Sequence, residues 1–124
     1  MGKAKILVID DDFRILRWMQ AVLGSKGYEV ATVSDATFAS SVAIQEKPDL
    51  IVLDLGLPGG DGYLVMERLA NFDSHTPIIV MSGRSDEKSR QRALDAGAKE
   101  YFEKPADFKK LLEVIEELLG QTAG

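Results

Sequence analysis

Three runs of consecutive apolar residues, Ile-Leu-Val-Ile at 6–9, Leu-Ile-Val-Leu at 50–53 and Ile-Ile-Val-Met at 78–81, constrain this chain more than any other feature. A strand with one wet face alternates apolar and polar residues. A strand that is apolar at every position has no wet face, and it belongs in a parallel sheet covered by helices on both sides. Weaker candidates at 28–33 and 100–102 bring the expected strands to five.

Between the runs the apolar period changes to that of a helix. Ile15, Leu16, Met19, Val22 and Leu23 share one face of a helix expected over 13–26 and closed by Gly27. Further helices are expected at 36–46, 63–71 and 86–96, the last of these closed by Gly97. In the final helix Phe108, Leu111, Leu112, Ile115, Leu118 and Leu119 follow i, i+3, i+4, i+7 spacing, with Lys109, Lys110, Glu113, Glu116 and Glu117 on the other side. The predicted class is α/β: a (βα)5, doubly wound, five-stranded parallel sheet built from right-handed crossovers. The chain of 124 residues suits a single domain spanning 1–124, with 120–124 a frayed tail or the start of a linker.

Composition narrows the function. There is no cysteine, so disulfides and thiolate metal sites are excluded and a cytoplasmic setting is expected. The start of the chain runs straight into the first apolar segment rather than through a signal peptide, and no apolar run is long enough to span a bilayer. A formal net charge of -5 argues against direct nucleic-acid binding, which needs clustered Lys and Arg. Neither a membrane nor a nucleic acid is an expected partner.

In a doubly wound sheet, ligands bind at the carboxyl ends of the strands. The first strand ends in Asp10-Asp11-Asp12, the third in Asp54, the fourth in Ser82, and the fifth is followed by Lys104-Pro105. Carboxylates gathered at one edge repel one another unless they are protonated or share a hard cation. Mg²⁺ suits them, being held typically by one or two carboxylates together with a phosphate. A hydroxyl and an ammonium aimed at the same place complete a phosphoryl site, where charge neutralisation and positioning do most of the chemistry.

The segments ILVIDDD at 6–12, PDLIVLDLGLPGGDG at 48–62, IIVMSG at 78–83 and AGAKEYFEKP at 96–105, in this order and each at a strand end, resemble the receiver domains of two-component response regulators over essentially the whole chain. The resemblance implies the flavodoxin-like (CheY-like) fold and phosphorelay signalling. It implies Asp54 as phospho-acceptor, Asp10 and Asp11 as the acidic pair for Mg²⁺, and Gly56 as donor of a backbone carbonyl to the metal. It also implies catalytic roles for Ser82 and Lys104, a switch pair of Ser82 and Tyr101, and a cis peptide bond before Pro105. The implied phosphodonor is a histidine kinase or a histidine phosphotransfer protein. An output domain or a second copy would be met through the 86–119 face, where Lys88, Arg90 and Arg92 suit an acidic partner.

Simpler readings stand beside these. Asp12 reads as the cap of the first helix, Tyr101 equally as a packing residue, Trp18 as cover for the core, and His75 as a loop residue. Gly56, Gly59 and Gly60 make the loop after Asp54 permissive, and Arg84 stands at the mouth of the site. A phosphohydrolase of the haloacid-dehalogenase type would use Asp10 as nucleophile and Asp12 as acid/base, leaving Asp54 without a role. A scaffold that only binds partners would need none of these residues. The expected activity is self-phosphorylation and autodephosphorylation, not turnover of an outside substrate.

Overall fold

In the computed structural model, residues 3–57, 62–72, 75–83, 87–104 and 108–120 are described. Strands and helices alternate throughout: β1 (Lys5–Ile9), α1 (Phe13–Ser25), β2 (Glu29–Val33), α2 (Ala36–Glu46), β3 (Leu50–Asp54), α3 (Gly62–Phe72), β4 (Ile78–Ser82), α4 (Glu87–Asp95), β5 (Glu100–Glu103) and α5 (Phe108–Leu119). The strands form one parallel sheet in the order β2-β1-β3-β4-β5. The (βα)5 expectation is met, and β3 and β4 each run one residue further than their apolar runs, taking in Asp54 and Ser82.

Side chains alternate across a strand, and this splits the core in two. Ile6, Val8, Leu50, Val52, Ile79, Met81 and Phe102 pack with Leu16, Met19 and Leu23 of α1 and with Leu111 and Ile115 of α5. Leu7, Ile9, Ile51, Leu53, Ile78, Val80 and Tyr101 pack with α2, α3 and α4 on the opposite face. Burial on both faces explains the unbroken apolar runs. The edge strand β2 is less buried, which is why its run reads weakly.

Local signals fix the ends of the elements. Asp12 caps α1, its carboxylate accepting from the Arg14 amide at 2.9 Å, and Asp35 caps α2 through the Thr37 amide at 2.7 Å. Gly27 and Gly97 follow α1 and α4 with φ of 95° and 114°, conformations that favour glycine. One expectation needs correction. Leu118 lies at the margin of the α5 stripe and is exposed, so the buried seam is Leu111 and Ile115. In α4 the polar Ser89 is buried beside Ala93. Gly59, Gly60, Arg84, Pro105 and the 121–124 tail lie outside the described residues.

Candidate functional site

In the order 2-1-3-4-5 the winding reverses between β1 and β3, opening a crevice where those two neighbouring strands end. Asp10 follows β1 directly and Asp54 is the last residue of β3, so the topology itself brings them together across 44 residues of sequence. Asp10 is fully buried and Asp54 is 5% exposed, whereas Asp11 is exposed. Oxygens of all three carboxylates lie within 4.8 Å of one another, a cluster that can hold a metal ion.

Lys104 reaches this cluster from the end of β5. Its Nζ donates to Asp10 Oδ2 at 2.8 Å and to Asp54 Oδ2 at 3.2 Å. Its own backbone amide donates to the Ser82 carbonyl at 2.7 Å, so the end of β4 fixes where the lysine starts. The other oxygens of the two aspartates are also used: Asp10 Oδ1 accepts from the Asp12 amide at 2.9 Å and Asp54 Oδ1 from the Gly56 amide at 3.0 Å. Burial holds the Asp10 carboxyl above its ordinary pKa, against the pull of Lys104 and the Asp12 amide, and the Asp54 charge adds to the rise. Burial also works to lower the Lys104 ammonium, but its contacts with Asp10 and Asp54 prevail and hold it above the usual lysine range. Three carboxylates face one ammonium here, leaving a charge deficit that one divalent cation matches.

Ser82 and Tyr101 occupy the other parity. Ser82 lies on the side of β4 shared with Ile78 and Val80, and Val80 is the register partner of Tyr101. The two are therefore diagonal neighbours on the α4 face. Both are buried, at 4% and 7% exposure.

Other expectations are placed as follows. Asp12 turns away to its capping bond and an ion pair with Arg14, which removes the acid/base of the phosphohydrolase reading. Trp18 is half-buried with its ring 4.3 Å from that of Phe108, a packing role. His75 is exposed in the turn before β4, at the far end of the sheet. Gly56 does not use a positive φ, and a Cβ there would stand 3.6 Å from Asp54 Oδ1, so the freedom expected of this glycine is not used. Sequence reading missed a contact between helices: the Arg92 guanidinium lies 3.8 Å from the Tyr63 ring centroid, and the Tyr63 hydroxyl donates to the Ser89 carbonyl at 3.2 Å. No local pattern announces a pair that far apart.

The family model for the response regulator receiver domain matches residues 6–116, and the chain belongs to this family. It is a receiver domain of two-component response regulators, with their CheY-like flavodoxin fold, and its function is phosphorelay signal transduction. The transcriptional regulatory protein PrrA of Mycobacterium tuberculosis is 38% identical over 122 residues, covering 96% of this chain and 52% of the relative. The transcriptional regulatory protein KdpE of the same organism is 40% identical over 107 residues, covering 86% and 47%. The chain thus spans about half the length of these curated relatives. A two-component response regulator from Clostridium difficile superposes with a TM-score of 0.91 at 26% identity, over 98% of this chain and 100% of that one. A response regulator protein from Burkholderia pseudomallei, solved with a phosphorylated aspartic acid, calcium ion and citrate, gives 0.82 at 27% identity over 89% and 65%. Among the described residues no helix is long and apolar enough to cross a membrane.

Proposed function

We propose that Asp54 accepts the phosphoryl group. A carboxylate oxygen of Asp54 attacks phosphorus, the phosphorus–nitrogen bond to a donor histidine breaks, and the imidazole leaves with its electron pair. Water later attacks the acyl phosphate, releasing orthophosphate and restoring the carboxylate. Lys104, already bonded to Asp54, neutralises charge on the transferred group, and the Ser82 hydroxyl supplies a hydrogen bond to it. Asp10, Asp11 and Asp54 would hold Mg²⁺ with the Gly56 carbonyl. Bound there, the metal would supply positive charge that offsets the negative charge of the transfer. The observation that carries this reading is the Lys104 bridge between Asp10 and Asp54 at a strand-end crevice, beside a carboxylate cluster one divalent cation short of neutral.

The readout we infer is a turn of Ser82 toward the phosphoryl group, followed by Tyr101 beside it on the α4 face. This reshapes the surface over residues 86–119 for an output domain or a second copy. Because the transcriptional regulators PrrA and KdpE are about twice as long as this chain, DNA binding belongs in this proposal to a region outside it. The donor is a histidine kinase or histidine phosphotransfer protein in the cytoplasm, and the domain acts on itself rather than on an outside substrate.

Incubation with a small phosphodonor and Mg²⁺, followed by peptide mass spectrometry, tests the assignment. One Mg²⁺-dependent adduct, labile to acid and base, is expected on Asp54 and should vanish in Asp54→Asn. An adduct on Asp10, or one that persists in Asp54→Asn, would falsify the assignment.

A further inference from the structure

The loop after Asp54 returns to the sheet at Gly62, the first residue of α3, and there is no slack where it lands. A Cβ at Gly62 would overlap the Leu55 backbone, including its carbonyl, with the Leu55 Cα only 2.7 Å away. Leu55 is the residue directly after Asp54, and its amide is tied to the Met81 carbonyl at 3.2 Å. The start of α3 therefore rests on the backbone next to the phospho-acceptor.

Tyr63 comes next, and it grips α4 twice. Its hydroxyl bonds the Ser89 carbonyl, and its ring lies under the Arg92 guanidinium. Ser89 and Arg92 are three residues apart, one turn of the same helix face. The buried side chains of α4 are those of Ser89 and Ala93, with Leu94 only partly buried against the core, so α4 has no fully buried large apolar anchor and the Tyr63 clasp adds materially to its hold.

We propose that Tyr63 and Arg92 are positioning residues that couple Asp54 to α4 by a route separate from Ser82 and Tyr101. This inference rests on phosphorylation at Asp54. The clasp belongs to the unphosphorylated state, in which Asp54 is held by Lys104 and the Gly56 amide. When a phosphoryl group replaces those partners, the 54–56 backbone shifts, Gly62 must follow because it has no clearance, and Tyr63 is drawn off α4. A cation over a ring and a hydroxyl on a carbonyl both tolerate little displacement. Releasing the clasp frees α4. By linkage, any change that breaks the clasp beforehand must favour the phosphorylated state.

The test is the affinity for beryllium fluoride, a phosphoryl mimic, in the presence of Mg²⁺, measured by calorimetry alongside hydrogen exchange of α4. Arg92→Gln and Tyr63→Leu should each bind the mimic about fivefold more tightly or better, the lower end of common coupling strengths. The double variant should gain no more than Tyr63→Leu alone, because that substitution already removes both grips. Tyr63→Phe, which loses only the hydroxyl, should gain less, and Arg68→Gln on the exposed side of α3 should match the parent, controlling for lost charge. Unchanged affinity in Arg92→Gln and Tyr63→Leu, even with faster exchange in α4, would reduce the clasp to packing and overturn the proposal, as would additive gains. If the parent domain fails to bind the mimic at all, the Asp54 reading falls and takes this inference with it.

Discussion

The two faces of the sheet are made from alternate residues of the same five strands, yet they are anchored very differently. On one face α1 contributes Leu16, Met19 and Leu23, and α5 contributes Leu111 and Ile115, with the Trp18–Phe108 ring contact linking the two helices. On the other face α2 buries Ala36, Ala39 and Ala43, α3 buries Val65, Met66 and Leu69, and α4 buries Ala93 and the polar Ser89, with Leu94 partly buried beside them. Large aliphatic side chains bury more area and fix a helix more firmly. The α1/α5 face is thus built to stay, while on the other face α3 is the best anchored helix and α4, beside Ser82 and Tyr101, has the fewest buried anchors. Asp54 shares the strand parity of Leu50 and Val52, on the firm face, whereas Ser82 and Tyr101 share the parity of the other, and all three meet at the same edge of the sheet. That division suits a switch, whose responding element must be free to shift population.

The largest expected effect tests the anchors directly. Ile115→Ala removes a fully buried side chain from α5 and should cost about 2–5 kcal/mol of unfolding free energy. Ala93→Gly in α4 removes one buried methyl group and a helix-favouring residue, for about 1–2 kcal/mol. Chemical denaturation measures both totals, and hydrogen exchange locates them. Exchange in α5 should follow global unfolding, whereas exchange in α4 should proceed through local opening well below it. If α4 proves as protected as α5, the two faces are equally firm and the comparison fails.

A smaller effect comes from the carboxylate cluster. Asp11 stands within reach of Asp10 and Asp54 but is exposed, so water and salt screen its repulsion. In a chelator Asp11→Asn should therefore stabilise the domain by less than about 1 kcal/mol, while weakening Mg²⁺ binding. Exchange in α4 should not respond, because the gain lies in the carboxylate cluster. Paired urea melts with EDTA would settle the sign, and a loss of stability would mean that the Asp11 carboxylate is held by attraction rather than tolerated against repulsion.

The fold was legible because its strongest constraint is physical and local: strands buried on both faces must be apolar at every position, as 6–9, 50–53 and 78–81 are. Edge strand β2 was weaker because it is only partly buried. The distinction between Asp12 and its neighbours was also local, since a cap needs only the next turn of backbone. The Lys104 bridge to Asp10, 94 residues away, follows from no local rule. It became legible through the resemblance and through the strand ends that a doubly wound sheet gathers together. The Arg92–Tyr63 contact had neither support. Arg92 reads in sequence as one more solvated charge for an acidic partner, and only the packing of α3 against α4 reveals that an aromatic ring lies beneath it.

The smallest and most easily misread prediction concerns pH, because carboxylates at one edge of the molecule act with opposite signs. Asp12 and Asp35 are caps whose pKa values are lowered, the first chiefly by its bond with Arg14 and the second by the Thr37 amide. Their contribution is present above the unfolded carboxylate range and is lost as pH falls through their folded values. Asp10 is the reverse. Its pKa is raised by burial, so its contribution is full below the ordinary carboxylate value of 3.8 and is lost as pH rises through the folded value. Lys104 is also raised, so its share persists through neutrality and disappears only as pH climbs past the usual lysine range. In a chelator, Asp10→Asn should therefore remove a component of the stability curve that declines with rising pH above about 4, while Asp35→Ala removes one that rises with pH below about 4 and is level above it. The two variants, melted across pH 3 to 8, should diverge from the parent in opposite directions as pH increases. If Asp10→Asn instead loses ground to the parent on going from acid to neutral pH, the Lys104 ion pair outweighs burial at this carboxylate, and the site is held together by attraction even without its metal.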